Sequence, residues 1–379
     1  MAGIHTTVDN KLIREVTNAF ATQHTLVGAL PYGSGHINDT FVAHYQPEEG
    51  HCKRYIFQRI NTSVFKNPYE LMDNIEHVTD YLRECIIKEN GDPERETLHI
   101  IRTTDGKNVY QDSEGKFWRA YDFIEETITL QQANTPEDFY ESAVAFGDFQ
   151  RKLAGFDASI LNESIKDFHN TRVRFENFEK AVEADILDRA KLCKEEIEFA
   201  MARKNEASLL VDMLKNGELP LRVTHNDTKL NNVLLDEHTR KGICVIDLDT
   251  VMPGLAGYDY GDSIRFGAST GAEDETDLSK ISMSLELFDI YTKGFMETAG
   301  NALTDTEIEM LPMCAKMMTF ECGIRFLTDY LQGDTYFKTH RPGHNLDRTR
   351  TQFKLVADME EKWDEMKAIV AKYKAIYKK

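Results

Sequence analysis

The sequence contains no long apolar segment. No hydrophobic run approaches the ~18 residues that a bilayer-spanning helix requires. The first twenty residues include no basic region followed by an apolar one, so we predict no signal peptide. With 41% hydrophobic and 29% charged residues and only nine prolines, the composition is typical of a soluble protein. A chain of 379 residues is long enough for two domains, or for one domain in two lobes.

Cysteine motifs are also missing. The six cysteines are scattered along the chain, with no CxxC pair and no histidine close by in the sequence. This pattern argues against a zinc site and against a disulfide framework, and it favours a reduced, cytoplasmic protein.

Basic residues are fewer than acidic ones. The chain has 45 Lys and Arg against 64 Asp and Glu, which gives a formal net charge of −19. Because contacts with phosphate backbones need a basic surface, this charge argues against nucleic acid as a partner. An acidic balance can attract a cationic substrate, but more often it serves solubility.

Secondary-structure patterns change near residue 125. The segments "TFVAHY" and "RYIFQRIN" flank the turn-like "QPEEG" and predict an antiparallel hairpin in a β-rich first third. The segment that begins "TPED" carries a helix start signal, and helical patterns dominate from there onward. We therefore predict an α+β fold with a small β-rich lobe over residues 1–125 and a larger, mainly helical lobe over residues 126–379.

One polar segment, "THNDTKLNN", interrupts the helical part directly before a short apolar run. Residues 233–235 and 243–246 are predicted strands, and the turn-like "DEHTRKG" lies between them. In an antiparallel hairpin the start of the first strand lies beside the end of the second. Asn232 and Asp247 are therefore expected at the same end of the hairpin, with Asp227 on the loop that enters that end.

These three oxygen-bearing side chains predict phosphoryl transfer. Oxygen ligands suit Mg²⁺, which usually binds a few protein groups together with substrate phosphates, so we predict Asn232 and Asp247 as metal ligands. Asp227 is then the base that orients and deprotonates an acceptor hydroxyl. The spacing from His225 through Asp227 to Asn232, followed by Asp247, has the form of the protein-kinase pattern. Turn capping, loop fixing and strand termination are the alternatives for the three, and His225 is more typical of a structural residue that holds the loop.

Further motifs extend over nearly the full length of the chain: "YGSGHIN", "LRVTHNDTKLNN", "IDLDTVMPG", "GDSIRFGAS", "FECGIRFLTDYLQGD" and "HNLDRTRTQ". Together they resemble the aminoglycoside phosphotransferase and choline kinase superfamily, and the later ones are similar to those of the N-acetylhexosamine 1-kinases. The resemblance implies a protein-kinase-like, two-lobed fold in which residues 1–125 bind nucleotide and residues 126–379 carry catalysis and acceptor binding. It also implies ATP and Mg²⁺, a small-molecule sugar as partner, and phosphorylation of the anomeric hydroxyl of N-acetylglucosamine or N-acetylgalactosamine.

The predicted nucleotide site departs from the usual pattern. Gly33 and Gly35 precede a strand, and such a turn lets backbone N–H groups approach phosphates, although a plain β-turn explains them as well. Kinase-like folds usually carry a lysine on the third strand. If the register matches the family, Gln58 occupies that position and adds no charge. Either the metal then carries more of the neutralisation, or a basic residue arrives from elsewhere.

The acceptor site is expected from the resemblance. It implies that His36 contacts the sugar, that Phe266 stacks on the pyranose, and that Arg325 and Tyr336 hold its hydroxyls. A solvent-facing histidine, a core phenylalanine and an ion pair of Arg325 with the carboxylate four residues on are the alternatives. Asp262, directly before "SIRF", is interpreted as a helix N-cap.

Two other functions stay open. The same chemistry could act on another acceptor such as an aminoglycoside, choline or homoserine, but a cationic acceptor would need a cluster of carboxylates around its site. A nucleotide-binding pseudokinase would be indicated by loss of Asp227, Asn232 or Asp247, and all three are present. For an active kinase we expect direct, in-line transfer in which the sugar keeps its anomeric configuration.

Overall fold

The structure, a computed structural model, describes residues 10–33, 37–46 and 52–379. The chain forms two compact units. Unit 1 comprises Met1–Thr127, Ile160–Ile165 and Ile243–Asp249, and unit 2 comprises Ile128–Ser159, Lys166–Gly242 and Thr250–Lys379. Within the described ranges, no helix is both long enough and apolar enough to cross a bilayer.

The α-helices are α1 Asn10–Ala19, α2 Pro68–Lys88, α3 Pro136–Lys152, α4 Thr171–Ala184, α5 Lys194–Met201, α6 Leu209–Lys215, α7 Ala256–Gly267, α8 Leu285–Ala299, α9 Asp305–Glu309, α10 Leu311–Gln332, α11 His344–Glu361 and α12 Trp363–Tyr377. The strands are β1 Thr25–Pro31, β2 Asp39–Gln46, β3 Lys53–Ile60, β4 Ile100–Ile101, β5 Tyr110–Gln111, β6 Phe117–Asp122, β7 Thr127–Ile128, β8 Arg222–Thr224, β9 Val233–Asp236, β10 Gly242–Val245 and β11 Met252–Gly254. Short 3₁₀ helices at Leu230–Asn232 and Leu248–Thr250 lie within the motifs "LRVTHNDTKLNN" and "IDLDTVMPG".

Unit 1 contains a six-stranded sheet in the order β1-β2-β3-β6-β4, with β5 paired to β6. The paired strands run antiparallel, and the predicted hairpin is confirmed as β2 and β3. Alternation along these strands buries Phe41, Tyr55, Phe57 and Trp118 on one face, where α1 packs against them. The register places Gln58 of β3 opposite Thr40 of β2 on one side and Arg119 of β6 on the other.

Unit 2 is mainly helical, as predicted. The "TPED" segment starts α3 with a capping box, in which the Thr135 side chain accepts from the Asp138 N–H and the Asp138 carboxylate accepts from the Thr135 N–H. Helix α10 is buried along most of its length because it passes through a core of aromatic and aliphatic side chains. Gly333 ends α10 in the left-handed conformation, with φ 102°.

Strands β9 and β10 confirm the two short strands predicted around the turn. The Asp236 N–H donates to the Lys241 carbonyl oxygen over 2.9 Å, and Arg240 takes a left-handed conformation with φ 58° between them. Elsewhere in unit 2, β8 and β11 form an antiparallel pair in which Thr224 lies opposite Met252. The polar segment that follows Thr224 therefore leaves directly from the end of a fixed strand.

One expectation about α7 is wrong. The helix begins at Ala256, so Asp262 lies in its middle and is not an N-cap. The residue before the helix is Leu255, and it makes no side-chain cap. Packing of buried Tyr258 and Tyr260 stabilises the first turns of α7 instead, which leaves the Asp262 carboxylate available for other donors.

Candidate active site

A buried carboxylate on α7 fixes the loop that carries Asp227. The backbone N–H groups of His225 and Asn226 donate to the two carboxylate oxygens of Asp259 over 2.9 and 2.8 Å. The Gln150 side chain donates to the same carboxylate over 2.7 Å. Burial raises the pKa of Asp259, and these hydrogen bonds act against that rise. Asn226 is in the left-handed region, with φ 66°, so the chain turns sharply just before Asp227.

His225 has the structural role that the sequence favours. It is fully buried, and the edges and faces of Phe146 and Phe149 surround its ring. Its Nδ1 accepts a hydrogen bond from the Asp227 N–H over 3.2 Å, and its carbonyl oxygen accepts from the Thr250 hydroxyl. His225 therefore holds the backbone of Asp227 in place from the interior of unit 2.

Helix α7 also holds the residue after Asp227. The Thr228 N–H donates to Asp262 over 3.2 Å, and the Thr228 hydroxyl donates to the Asp259 carbonyl oxygen over 2.7 Å. The Ser263 hydroxyl donates to the Thr228 carbonyl oxygen over 3.0 Å. Because both sides of Asp227 are bonded to the same helix, the loop has little freedom to move its carboxylate.

The Asp227 carboxylate is partly open to solvent. Its side chain is 28% exposed, and one oxygen lies 2.8 Å from the Lys229 ammonium. The Asn232 side-chain N–H₂ donates to the other carboxylate oxygen over 3.2 Å and to the Asp227 carbonyl oxygen over 2.8 Å. Within the described part of the chain, the Asn232 side-chain oxygen makes no hydrogen bond. An oxygen ligand beside a partly exposed carboxylate is what a metal-dependent phosphotransferase requires.

Lys229 is a residue of this site that sequence reasoning missed. Burial alone would lower its pKa, but the negative charges of Asp227 and Asp262 outweigh burial, and the pKa is raised. The ammonium group therefore stays protonated and keeps positive charge next to Asp227. A basic residue two positions after the predicted base was visible in the sequence, but its orientation was not.

In unit 1, Asp247 follows β10 and adopts φ 60°. Burial raises the pKa of Tyr121 on β6, and the negative charge of Asp247 adds to that rise. Gly33 lies after β1 with φ 78°, and a Cβ added there would meet no atom of the described residues within 4 Å. Gly35 and His36, which the sequence assigns to nucleotide and sugar, lie outside the described residues.

The basic residue beside Gln58 is Arg119, which the sequence did not single out. Gln58 donates to the Thr40 hydroxyl over 3.1 Å, and its amide oxygen accepts from Arg119 Nε over 2.9 Å. Arg119 is 1% exposed, and its Nη1 lies 2.5 Å from the Asp249 carboxylate. Asn38 donates to the other Asp249 oxygen over 2.5 Å. Burial alone would lower the pKa of Arg119, but the charge of Asp249 outweighs it, and the guanidinium stays ionised.

Arg325 and Tyr336 are brought together in unit 2, as the resemblance implies. The Arg325 guanidinium lies 6.0 Å from the ring centre of Tyr336, 5.4 Å from that of Phe168 and 5.5 Å from that of Phe337. Tyr336 is 67% exposed, so its ring is available to a ligand. The three rings surround a guanidinium whose donors can reach a bound molecule.

The ion pair considered for Arg325 does not form. Asp329 is buried and accepts from the backbone N–H groups of Thr335 and Tyr336, over 2.8 Å each, and of Phe337 over 2.9 Å. The charge of Arg325 acts on the buried Glu321 instead. Asp329 therefore shapes the loop that carries Tyr336, and Arg325 is left for another function.

A buried histidine lies beside this arginine. His169 Nδ1 is 2.8 Å from a carboxylate oxygen of Glu321, and the Thr171 hydroxyl donates to the other oxygen over 2.5 Å. Burial alone would raise the pKa of Glu321, but His169 and Arg325 outweigh it, and the pKa is lowered. Sequence reasoning missed this pair because 152 positions separate its members.

Phe266 occupies the last turn of α7 and is 39% exposed, so it is not a core residue. It lines a cavity of about 590 Å³ in unit 2 together with Thr228 and Leu230, which come just after Asp227 in the chain. A half-exposed ring at the wall of a cavity is available for stacking on a ligand.

Several solved structures with a similar fold are kinases of small molecules. A microcompartment-associated aminopropanol kinase matches with a TM-score of 0.58 and 14% identity, covering 95% of this chain and 99% of its own. The amicoumacin kinase hAmiN, solved in complex with AMP-PNP, Ca²⁺ and Ami, matches with a TM-score of 0.58 and 13% identity, covering 94% of each chain. A choline kinase from Cryptosporidium parvum Iowa II matches with a TM-score of 0.53 and 16% identity, covering 92% of this chain and 93% of its own.

The fold is thus similar to that of small-molecule kinases. The family comparison agrees, because the model of the phosphotransferase enzyme family APH matches residues 28–280. The chain belongs to this family.

Proposed function

We propose that this protein is a kinase that transfers the γ-phosphoryl group of ATP to the anomeric hydroxyl of an N-acetylhexosamine. Family membership supports phosphoryl transfer to a small molecule. The sugar is supported by the resemblance of "GDSIRFGAS" and the later motifs to the N-acetylhexosamine 1-kinases. We further propose a cytoplasmic location, in keeping with six cysteines that are all free thiols.

The main support for the proposal is the way in which the Asp227 carboxylate is held and exposed. Its carboxylate is partly exposed, it is held by bonds on both sides of the loop, and a lysine and an amide orient its oxygens. A carboxylate held in this way can accept the proton of an acceptor hydroxyl as that oxygen attacks phosphorus. Because the sugar oxygen is the nucleophile, its bond to C1 survives, and the product keeps the anomeric configuration of the substrate.

For the nucleotide we propose Gly33, Gly35 and Gln58, with Asn232 and Asp247 as ligands of Mg²⁺. The Asn232 side-chain oxygen has no hydrogen bond among the described residues, which fits a ligand. Bound Mg²⁺ would neutralise charge on the ATP phosphates. Gln58 adds no charge, and Arg119, which donates to it, is paired with the buried carboxylate of Asp249.

For the acceptor we propose His36, Phe266, Arg325 and Tyr336. A neutral sugar suits this set because it offers hydroxyls to the guanidinium and an apolar ring face to the aromatic residues. Burial lowers the pKa of Arg174, and the positive charge of Arg325 lowers it further. The guanidinium groups of Arg174 and Arg325 therefore lie near each other in the proposed acceptor site. That charge disfavours a cationic acceptor.

A related kinase with a different acceptor is the second candidate. The structures of similar fold are described as kinases of aminopropanol, amicoumacin and choline, and each of these differs from a simple hexosamine. A pseudokinase is the third candidate, and the presence of Asp227, Asn232 and Asp247 argues against it.

The test is an ATP-consumption assay with Mg²⁺ and a panel of acceptors: N-acetylglucosamine, N-acetylgalactosamine, glucose, choline, aminopropanol and kanamycin. Phosphorus NMR then locates the phosphate on the product. We expect turnover of one or both N-acetylhexosamines, with the phosphate on O1. Rapid turnover of choline or kanamycin, with no turnover of either N-acetylhexosamine, would show that the proposed substrate is wrong. No turnover of any acceptor would favour the pseudokinase.

A further inference from the structure

Asp262 is a buried carboxylate to which the proposed reaction gives no role. It lies in the middle of α7 and is 7% exposed, so it can act on the reactants only through its neighbours. One carboxylate oxygen accepts from Arg265 Nε over 3.0 Å and from Nη2 over 2.9 Å. The other oxygen accepts from the Thr228 N–H over 3.2 Å. Because each oxygen has its own donor, the carboxylate cannot rotate without breaking one of these bonds.

The arginine that holds Asp262 is itself fixed. Arg265 Nη1 donates to Glu273 over 2.9 Å, so the guanidinium is bonded to two carboxylates. Glu273 also lies 3.8 Å from Nε of Arg348 on α11. Charges of alternating sign therefore connect α11 with Asp262, and they keep the Asp262 carboxylate at a fixed place in unit 2.

Lys229 is the next positive charge beyond Asp262. It directly follows Thr228, the residue whose N–H Asp262 accepts. Burial alone would lower the pKa of Lys229, but the charge of Asp227 and then that of Asp262 outweigh burial. Burial alone would raise the pKa of Asp262, but Arg265 and then Lys229 outweigh it. The Lys229 ammonium thus lies in the field of two carboxylates, and one of them is the proposed base.

A single carboxylate is a weak anchor for this lysine. The lysine side chain is a flexible four-carbon stem with a strongly hydrated end, and that of Lys229 is 41% exposed. Asp262 adds a second attraction from a fixed position. Without the charge of Asp262, that attraction is lost, and the positive charge of Arg265 repels the ammonium. Lys229 then turns toward solvent more often and leaves the Asp227 carboxylate.

We propose that Asp262 is a positioning residue for phosphoryl transfer, whose negative charge keeps the Lys229 ammonium at the Asp227 carboxylate. The proposal rests on the proposed function, in which Asp227 is the base. It is separate from the hydrogen bond to Thr228, because the oxygen of an uncharged asparagine can also accept from that N–H.

The test is a double-mutant cycle on kcat with ATP, Mg²⁺ and N-acetylglucosamine. Asp262→Asn removes the charge and keeps an acceptor for Thr228. We expect it to lower kcat by about 5–10-fold and to change the KM of ATP and of the sugar by less than about 2-fold. In a Lys229→Met enzyme the same change should lower kcat by less than about 2-fold, because the ammonium through which Asp262 acts is gone.

Ser263→Ala is the matched control. The Ser263 hydroxyl holds the same Thr228 through a neutral hydrogen bond to its carbonyl oxygen, over 3.0 Å. Any loss of kcat from this variant should be the same factor with and without Lys229, because a loosened loop does not depend on the ammonium. Thermal melts of all variants show that they are folded.

The outcomes separate the inference from the proposed function. If Asp262→Asn leaves kcat unchanged, or lowers it by the same factor with and without Lys229, the inference is wrong and the proposed function stands. If the wild type phosphorylates a different acceptor and no N-acetylhexosamine, the proposed function fails, and the same cycle with that acceptor decides the inference. A wild type that turns over no acceptor overturns both. If Asp262→Asn does not fold, the cycle is measured in an Arg265→Met background, where both charges of the buried pair are absent.

Discussion

The side-chain amide of Asn232 directs both of its N–H groups at Asp227, one at the carbonyl oxygen over 2.8 Å and one at the carboxylate over 3.2 Å. The amide oxygen of Asn232 is thereby turned away from Asp227. One asparagine can thus orient the proposed base and present a ligand to a metal at the same time.

Two substitutions of Asn232 separate these roles. Asn232→Ala removes both, and we expect the Mg²⁺ concentration for half-maximal activity to rise about 10-fold or more. Asn232→Asp keeps an oxygen ligand but loses the donor and adds a negative charge beside Asp227, so it should lower kcat while the Mg²⁺ requirement changes less. Activity titrations with Mg²⁺ measure both values. Equal Mg²⁺ requirements for Asn232→Ala and the wild type would contradict the ligand assignment.

The pair of Arg119 and Asp249 gives a prediction about stability. Both side chains are almost fully buried, so Arg119→Met leaves an unpaired carboxylate inside unit 1. We expect this change to lower the free energy of unfolding by about 3–5 kcal/mol, measured by chemical denaturation.

The double variant Arg119→Met/Asp249→Leu is the matched control for the pair. Because it removes both charges, it should recover part of the loss, although Asn38 then loses its acceptor. If the double variant is as unstable as the sum of the two single variants, the pair does not act as a unit. ATP binding by the same variants reports whether the charge of Arg119 also serves the nucleotide.

Lys229 gives a prediction about rate. Its ammonium lies 2.8 Å from the Asp227 carboxylate, and we expect Lys229→Met to reduce kcat by about 10-fold or more because the charge that orients the carboxylate is lost. Lys241→Met, a change at an exposed lysine of the β9–β10 turn, should leave kcat unchanged. Steady-state assays at saturating ATP measure both. A Lys229→Met enzyme with wild-type kcat would show that the ion pair is only structural.

The hydrogen bonds of Asp358, a residue of α11, predict that the stability of the protein depends on pH. Asp358 accepts hydrogen bonds from the Met283 N–H over 2.7 Å, the Ser282 hydroxyl over 2.9 Å and the Lys362 ammonium over 2.7 Å. Burial alone would raise its pKa, but these donors outweigh burial, and the pKa falls below the ordinary value of 3.8. The stability that Asp358 contributes is therefore complete above the pKa of the unfolded chain, about 3.9, and is lost as the pH falls through the lower folded value.

We expect Asp358→Asn to destabilise the protein by about 1.5–3 kcal/mol at pH 7, the range for hydrogen bonds to a charged group. The difference between wild type and variant should shrink as the pH falls below about 4. Denaturation at several pH values measures it. A difference that is the same at pH 3 and pH 7 would show that folding does not lower the pKa of Asp358.

Much of the fold was predictable from the sequence because the local sequence patterns match the elements that the tertiary structure contains. Alternation in β2 and β3 and the capping box of α3 are local signals, and the structure confirms both. The N-cap expected at Asp262 was wrong because buried tyrosines, not a cap, stabilise the start of α7. A polar residue before an apolar run does not by itself show where a helix begins.

Within the candidate site, contacts between residues close together in the sequence were predictable, whereas contacts between distant residues were not. The contact of Asp227 with Asn232 follows from five residues of separation along one loop. Arg119 was missed because its partner Asp249 is far away in the sequence, and an arginine in an apolar strand gives no sign of what it pairs with.

The most direct test of the account is the turnover of Asp227→Asn with ATP, Mg²⁺ and N-acetylglucosamine. The asparagine keeps the shape of the side chain but cannot take a proton, so we predict a fall in kcat of about 10²–10⁴-fold with ATP binding retained. Calorimetric titration with ATP and a thermal melt confirm that the variant is folded and binds nucleotide. A kcat close to the wild-type value would contradict the assignment of Asp227 as the base and, with it, the central claim.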